Sequence, residues 1–265
     1  EGGGRYFILP TAPSMRDSRL MPTVTVIYAL LFYVATAILI VGLGFKIRQY
    51  WRTPQPLKIP TTPAPMNGSG VVVRMLREVV IFESLFKSNK WIWIFGWVFH
   101  AAMAVALLRH LRYFTEPVWG WVVLIQPFGV YAGFAMMLGL AGLLVRRFVV
   151  ARVRYITSPS DILFLLLLLA IGATGLSMKF VSPTDIIGLK AFMLGLMYFD
   201  WQPLPEDANL LIHLGLVISL MIIFPFSKLL HAPGLFFSPS RNQPDDVRMK
   251  RHPGAFEAEN QARGA

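Results

Sequence analysis

Five stretches of this chain are apolar over lengths that match the hydrocarbon core of a bilayer, and nothing else in it constrains the fold as much. A helix rises about 1.5 Å per residue, so roughly 20 apolar residues cross about 30 Å. Thr23–Phe45, Trp91–Tyr113, Trp119–Val145, Asp161–Phe180 and Asn209–Ala232 all reach that length. In hydrocarbon, every backbone N–H and C=O must be bonded within its own segment or a closed barrel, and single runs of this length are helices. The expected fold class is an all-α membrane protein, a five-transmembrane-helix bundle. With 55% hydrophobic and only 15% charged residues, the chain has too little polar surface for a soluble domain of 265 residues. Ile186–Phe199 is apolar but only 14 residues long, so it is expected to be re-entrant or interfacial.

The connecting segments divide the chain. Residues 1–20 lack periodicity, and their opening EGGG resembles an expression scar or misassigned start, with Met21 the expected beginning. Residues 21–237 form the expected membrane domain and 238–265 a cytoplasmic tail, polar and Pro-containing, extended over a partner or disordered. Within 46–90, PQPLKIPTTPAP carries five prolines and reads as an extended connector. Val71–Lys87 then spaces Arg74, Arg77, Glu78, Ser84 and Lys87 as a helix that lies on the membrane surface or docks a partner. Pro127 is expected to interrupt the third span.

A net charge of +11 suggests nucleic acid at first sight, but its distribution follows membrane topology. Residues 46–90 hold eight Lys/Arg, 146–160 hold four with no acid, and 228–265 hold six. By contrast, 111–120 holds only Arg112, and 179–209 holds Lys179 and Lys190 against four acids. The positive-inside rule places the N-terminus out and the C-terminus in, which agrees with an odd number of spans. No nucleic-acid partner is expected; the bilayer is.

Histidine carries the chemistry. His100 and His110 lie in the second span, and His213 and His231 in the fifth. Imidazole in hydrocarbon needs a partner, so intramembrane histidines mark function. The two spans run in opposite directions, so His110 should meet His213 on the outer side and His100 should meet His231 on the inner side. Eighteen residues make five whole helical turns, so His213 and His231 would share one face of a continuous helix. Ten residues span about 15 Å and eighteen about 27 Å, so a tilt or break is needed to level both pairs, and Pro225 is a candidate. Two imidazoles per iron fill both axial positions and favour electron transfer, and two haems stacked across the bilayer divide its thickness into short steps. The expected metal ligands are therefore His100 and His231 for an inner haem b iron, and His110 and His213 for an outer one. Arg109, Arg112 and Lys228 flank these ligands and suit haem propionates or interfacial snorkelling. Gly96 and Gly215 suit a close porphyrin face or close helix packing. His252, in the polar tail, is given no role. With no cysteine, iron–sulfur ligation and covalent CxxCH haem attachment lie outside this chain. The alternative is a transport or proton-conducting protein whose histidines relay protons.

H-x9-H on the second span, H-x17-H on the fifth, and HLGLVISLMIIFPFSKLLH resemble the haem b membrane (gamma) subunits of respiratory nitrate reductases. IRQYWRTPQPLKIPTTPAP, FKSNKWIWIFGWVFHA, LRHLRYFTEPVW and HAPGLFFSPSRNQPDD resemble the M subunits of the DsrMKJOP complexes of dissimilatory sulfur metabolism, over about Met21 to Asp246. The resemblance implies two haem b groups with the crossed histidine pairing and a quinone or menaquinone substrate. It also implies a prokaryotic inner membrane and an oxidoreductase complex whose sulfur chemistry lies on other subunits. The implied partners are a cytoplasmic iron–sulfur subunit like heterodisulfide reductase, a membrane quinone-binding subunit, a periplasmic multihaem cytochrome c and a periplasmic iron–sulfur protein.

Overall fold

Each apolar run forms a helix, and the polar residues beside the runs set most of the helix starts. The computed structural model describes residues 21–54, 59–60, 62–247 and 254. The N-terminal tail 1–20 and His252 lie outside the described residues. Five helical stretches are long and apolar enough to span, Thr23–Arg52, Lys90–Tyr113, Gly120–Val149, Pro159–Phe180 and Ala208–Phe226, and their α-helices are α1 Thr23–Arg52, α4 Lys90–His110, α5 Gly120–Val149, α7 Pro159–Phe180 and α9 Ala208–Ile223. Single 3₁₀ turns extend α4 through Leu111–Tyr113 and α9 through Phe224–Phe226. The shorter helices are α2 Gly68–Val80, α3 Glu83–Ser88, α6 Ala151–Ile156, α8 Ile186–Tyr198, α10 Ala232–Phe236 and α11 Pro239–Asn242. No strand occurs among the described residues. Side-chain caps take up otherwise orphaned N–H groups: Asn67 on α2, Asn89 on α4, Asp185 on α8 and Asp207 on α9. Helix α7 starts with a Ser158/Asp161 capping box and Pro159 in its first turn.

The spans pack as an arc. Helix α4 lies along α5, α5 against α7, α7 against α9, and α9 against α1. Helices α4 and α9, which carry His100, His110 and His213, are not packed together along their lengths. Between hydrocarbon-exposed helices, close approach relies on small residues because water expulsion gives no drive. Gly139 shows this on α5, where an added Cβ would lie 2.9 Å from the Phe95 carbonyl oxygen of α4. Helix α8 is the short apolar piece. It is too short to span, and it buries Leu189, Phe192, Met193 and Leu196 in a core with Ala29, Leu204, Leu210 and Leu214. Tyr28 and Tyr33 of α1 donate to the carbonyls of Leu211 and Leu196 and lock that core to the first span.

Four expectations change. Helix α5 runs through Pro127 without interruption. The expected surface helix is two helices, because Phe82 adopts a left-handed φ of 52° between α2 and α3. The Glu78 carboxylate stabilises that corner by accepting the Ser84 N–H and hydroxyl. The tail folds back, at least through residue 247, in place of extending away: Arg241 pairs with Glu78, and the Asp245 N–H donates 2.9 Å to Pro65 O. Helix α2 thus turns its polar side to the tail and leaves Val72, Leu76 and Val80 exposed. The fifth span is also shorter than Asn209–Ala232. Regular helix ends at Ile223, and Pro225 sits in the 3₁₀ turn, fully buried against Gly42 of α1.

Candidate functional site

The break at Pro225 removes the mismatch in histidine spacing. Helix α9 continues only ten residues beyond His213, about 15 Å, which equals the His100–His110 separation on α4. The chain then turns through residues 227–231, so His231 lies on a turn beyond the helix. His213 and His231 therefore do not share a helix face, because no continuous helix joins them. Pro225, with no N–H and a fixed φ, lies where the regular helix stops.

At one end of the arc, the His100 and His231 rings lie 5.7 Å apart, centre to centre, at 87°. Phe82 and Phe99 close around the His100 ring edge-on at 5.2 and 4.7 Å. His110 lies at the far end of α4, ten residues from His100, and His213 lies in the second turn of α9, ten residues before its end. Three rings have a fixed proton position. His100 Nδ1 is 2.7 Å from Gly96 O, and His110 Nδ1 is 2.6 Å from Ala106 O. A carbonyl only accepts, so Nδ1 carries the hydrogen in both, and Nε2 keeps its lone pair. His213 Nδ1 is 2.9 Å from the Thr174 hydroxyl, which is itself 2.8 Å from Ala170 O and 3.1 Å from Ile171 O. The single hydroxyl hydrogen goes to a carbonyl, so the Thr174 oxygen accepts from His213 Nδ1–H. The ring lies against Gly175 of α7, where an added Cβ would meet His213 Cε1 at 3.4 Å, an ordinary contact distance.

These residues fit a metal held between imidazoles. Two rings bonded through nitrogen to opposite sides of one ion, at about 2 Å each, have centres about 6 Å apart, and His100 and His231 stand at 5.7 Å. An Nδ1–H bonded to a backbone or hydroxyl oxygen is the usual support for an imidazole that ligates through Nε2.

The flanking cations have definite positions. Gln126 of α5 accepts from Arg109 Nε at 3.3 Å and Arg112 Nη1 at 3.1 Å, and it donates to the Arg109 and Val122 carbonyls. Both guanidiniums are held beside His110 with N–H groups to spare and no carboxylate partner among the described residues. Lys228 reaches Asp161 Oδ1 at 3.0 Å and Ser158 Oγ at 3.3 Å. At Gly96 and Gly215 an added Cβ would meet Leu85 at 3.8 Å and the Tyr28 hydroxyl at 3.7 Å, ordinary contact distances, so neither position requires glycine for close packing.

Sequence reading missed Thr174, Gln126, Asp161 and Phe82. The rule that singled out the histidines, that a polar group in hydrocarbon must have a partner, applies equally to Thr174 and Gln126. Phe82 carries no local signal, since its left-handed backbone is imposed by what surrounds it.

The family model for the nitrate reductase gamma subunit matches residues 83–241, which include all four histidines. The "Hdr-like menaquinol oxidoreductase cytochrome b-like subunit" of Archaeoglobus fulgidus is 33% identical over 265 residues, covering 83% of this chain and 80% of the relative. The protein of the same description from Archaeoglobus profundus is 33% identical over 273 residues, covering 85% and 81%. With the paired histidines, the five spans and these matches together, the chain belongs to the nitrate reductase gamma subunit family.

Proposed function

We propose that this chain is the di-haem b electron-transfer subunit of a quinone-linked oxidoreductase complex in a prokaryotic inner membrane. One observation carries the reading: four histidines, two on α4 and two on α9 or the turn beyond it, with the His100 and His231 rings 5.7 Å apart and Nδ1 bonded away in three of the four rings. Haem b supplies reversible one-electron storage when bound. His100 with His231, and His110 with His213, would hold the two haem irons, and two imidazoles on each would suit electron transfer over ligand chemistry. The Nδ1–H bonds orient the rings and make Nε2 more basic. Arg109 and Arg112, pinned by Gln126, would meet propionates at the outer site. Lys228 retains one N–H for the inner site after its bonds to Asp161 and Ser158.

The charge distribution supports N-terminus out and C-terminus in, with the His100/His231 pair inner and the His110/His213 pair outer. The relatives' description supports menaquinone as the exchangeable substrate. The segments that resemble DsrMKJOP M subunits support the finer reading. Electrons pass between quinone at the outer pair and a cytoplasmic iron–sulfur subunit like heterodisulfide reductase at the inner pair. A membrane quinone-binding subunit, a periplasmic multihaem cytochrome c and a periplasmic iron–sulfur protein complete the complex, and sulfur chemistry is left to the partners.

A reduced-minus-oxidised spectrum of the purified protein tests the reading. Haem b Soret and alpha bands are expected, at two haems per chain. Substituting His110 or His213 should remove one haem and spare the other, and substituting His100 or His231 should do the converse. A colourless protein that conducts protons in liposomes would replace this reading with a histidine proton relay.

A further inference from the structure

Asp161 is a buried carboxylate, its residue 8% exposed. Three elements converge on it. Arg147, at the end of α5, reaches Oδ2 at 3.4 Å, the Ser158 N–H donates to Oδ2 at 3.0 Å, and Lys228, in the turn after α9, donates to Oδ1 at 3.0 Å. Helix α5 is the helix along which α4, and so His100, is packed. Lys228 precedes His231 by three residues on a segment that regular helix no longer supports. The turn itself is held by local bonds, Leu230 N to Ser227 O and His231 N to Leu229 O, which fix its shape but not its place against the bundle.

We infer that Asp161 is a positioning residue: by holding Arg147 and Lys228 on one buried carboxylate, it sets where His231 stands relative to His100. The inference rests on the di-haem reading and goes beyond it, because neither Asp161 nor Arg147 touches a histidine. The Lys228 side chain is 67% exposed, so its ion pair alone is screened and weak. The buried carboxylate matters because losing it leaves two cations with no shared anchor and frees the turn from α7. Two devices thus place His231: Pro225 ends the helix, and Asp161 ties the turn beyond it to α5 and α7.

The test uses the purified haem-loaded complex with Asp161→Asn and Lys228→Met, beside Asp161→Glu, Lys228→Arg and His231→Ala as the marker for the inner haem. The readouts are haem per chain, the low-temperature alpha band and electron paramagnetic resonance signal of each haem, and midpoint potentials from redox titration. The expected result is loss of the inner haem, or a shift in its band and potential, in the Asn and Met variants. The outer haem should be unchanged, and the Glu and Arg variants should recover the native signals. No change at the inner haem in either disruptive variant, or equal damage at both haems, overturns the inference. If Asp161→Asn does not accumulate, Arg147→Met decides, since it cuts the same carboxylate's tie to α5 and leaves the Lys228 N–H assigned to the inner haem in place. A wild-type protein without haem b bands would refute the functional reading itself, a result distinct from any of these.

Discussion

A hydroxyl has one hydrogen, and Thr174 gives it to the backbone of its own helix, so its oxygen is committed to accepting from His213. Thr174→Val keeps the shape and removes the acceptor. The outer haem should then bind roughly 10- to 100-fold more weakly, the usual cost of losing such a support. Its midpoint potential should move while the inner haem keeps its own, as haem titration and redox titration would report. Asp207 serves the fold. The Thr184 hydroxyl donates to its carboxylate at 2.8 Å, the Asn209 N–H caps through it, and together they hold its pKa below the usual carboxylate range. A depressed folded-state pKa gives stability that is complete above the unfolded value and lost as pH falls through the folded one. Asp207→Ala should therefore cost about 1 kcal/mol near neutral pH, and thermal melts in detergent should show the two proteins converging in acid.

Helix α4 owes its position to α5, and the contact is close because glycine permits it. At Gly139 the neighbour is a backbone carbonyl, which cannot swing aside as a side chain would. Gly139→Ala should destabilise the protein by about 1–3 kcal/mol, the range for overpacking. Because Phe99, beside His100, lies in the same contact at 3.0 Å, the melting temperature and the inner haem's retention should fall together. Pro225 has the opposite role. It ends a helix whose apolar pattern would otherwise run on to Ala232, and Gly42 of α1 leaves room for it. The Phe82 corner is a third device, a left-handed residue whose ring packs on His100 while its backbone separates α2 from α3.

For the molecule as a whole, five antiparallel spans require α6 and the α7–α8 loop to face opposite sides of the membrane. The chain has no cysteine, so single cysteines introduced at Tyr155 and at Ile187, both largely exposed, report each side cleanly. A membrane-impermeant maleimide applied to right-side-out cells should label the cysteine at 187 and spare the one at 155; the reverse pattern would invert the proposed orientation. The five spans, the short α8 and the four histidines as the polar groups that mark function were legible in the chain, because hydropathy and intramembrane polarity are local properties, although the fifth span ends earlier than its apolar run. The break at Pro225 was legible only as a candidate. The Lys228–Asp161 bond, the Thr174–His213 bond and the return of the tail to Glu78 were not, since they join residues 67, 39 and 163 positions apart. Such contacts depend on which faces of separate helices turn toward each other. That is set by glycine at the seams and by the course of the chain after a broken helix, and a one-dimensional pattern does not record either.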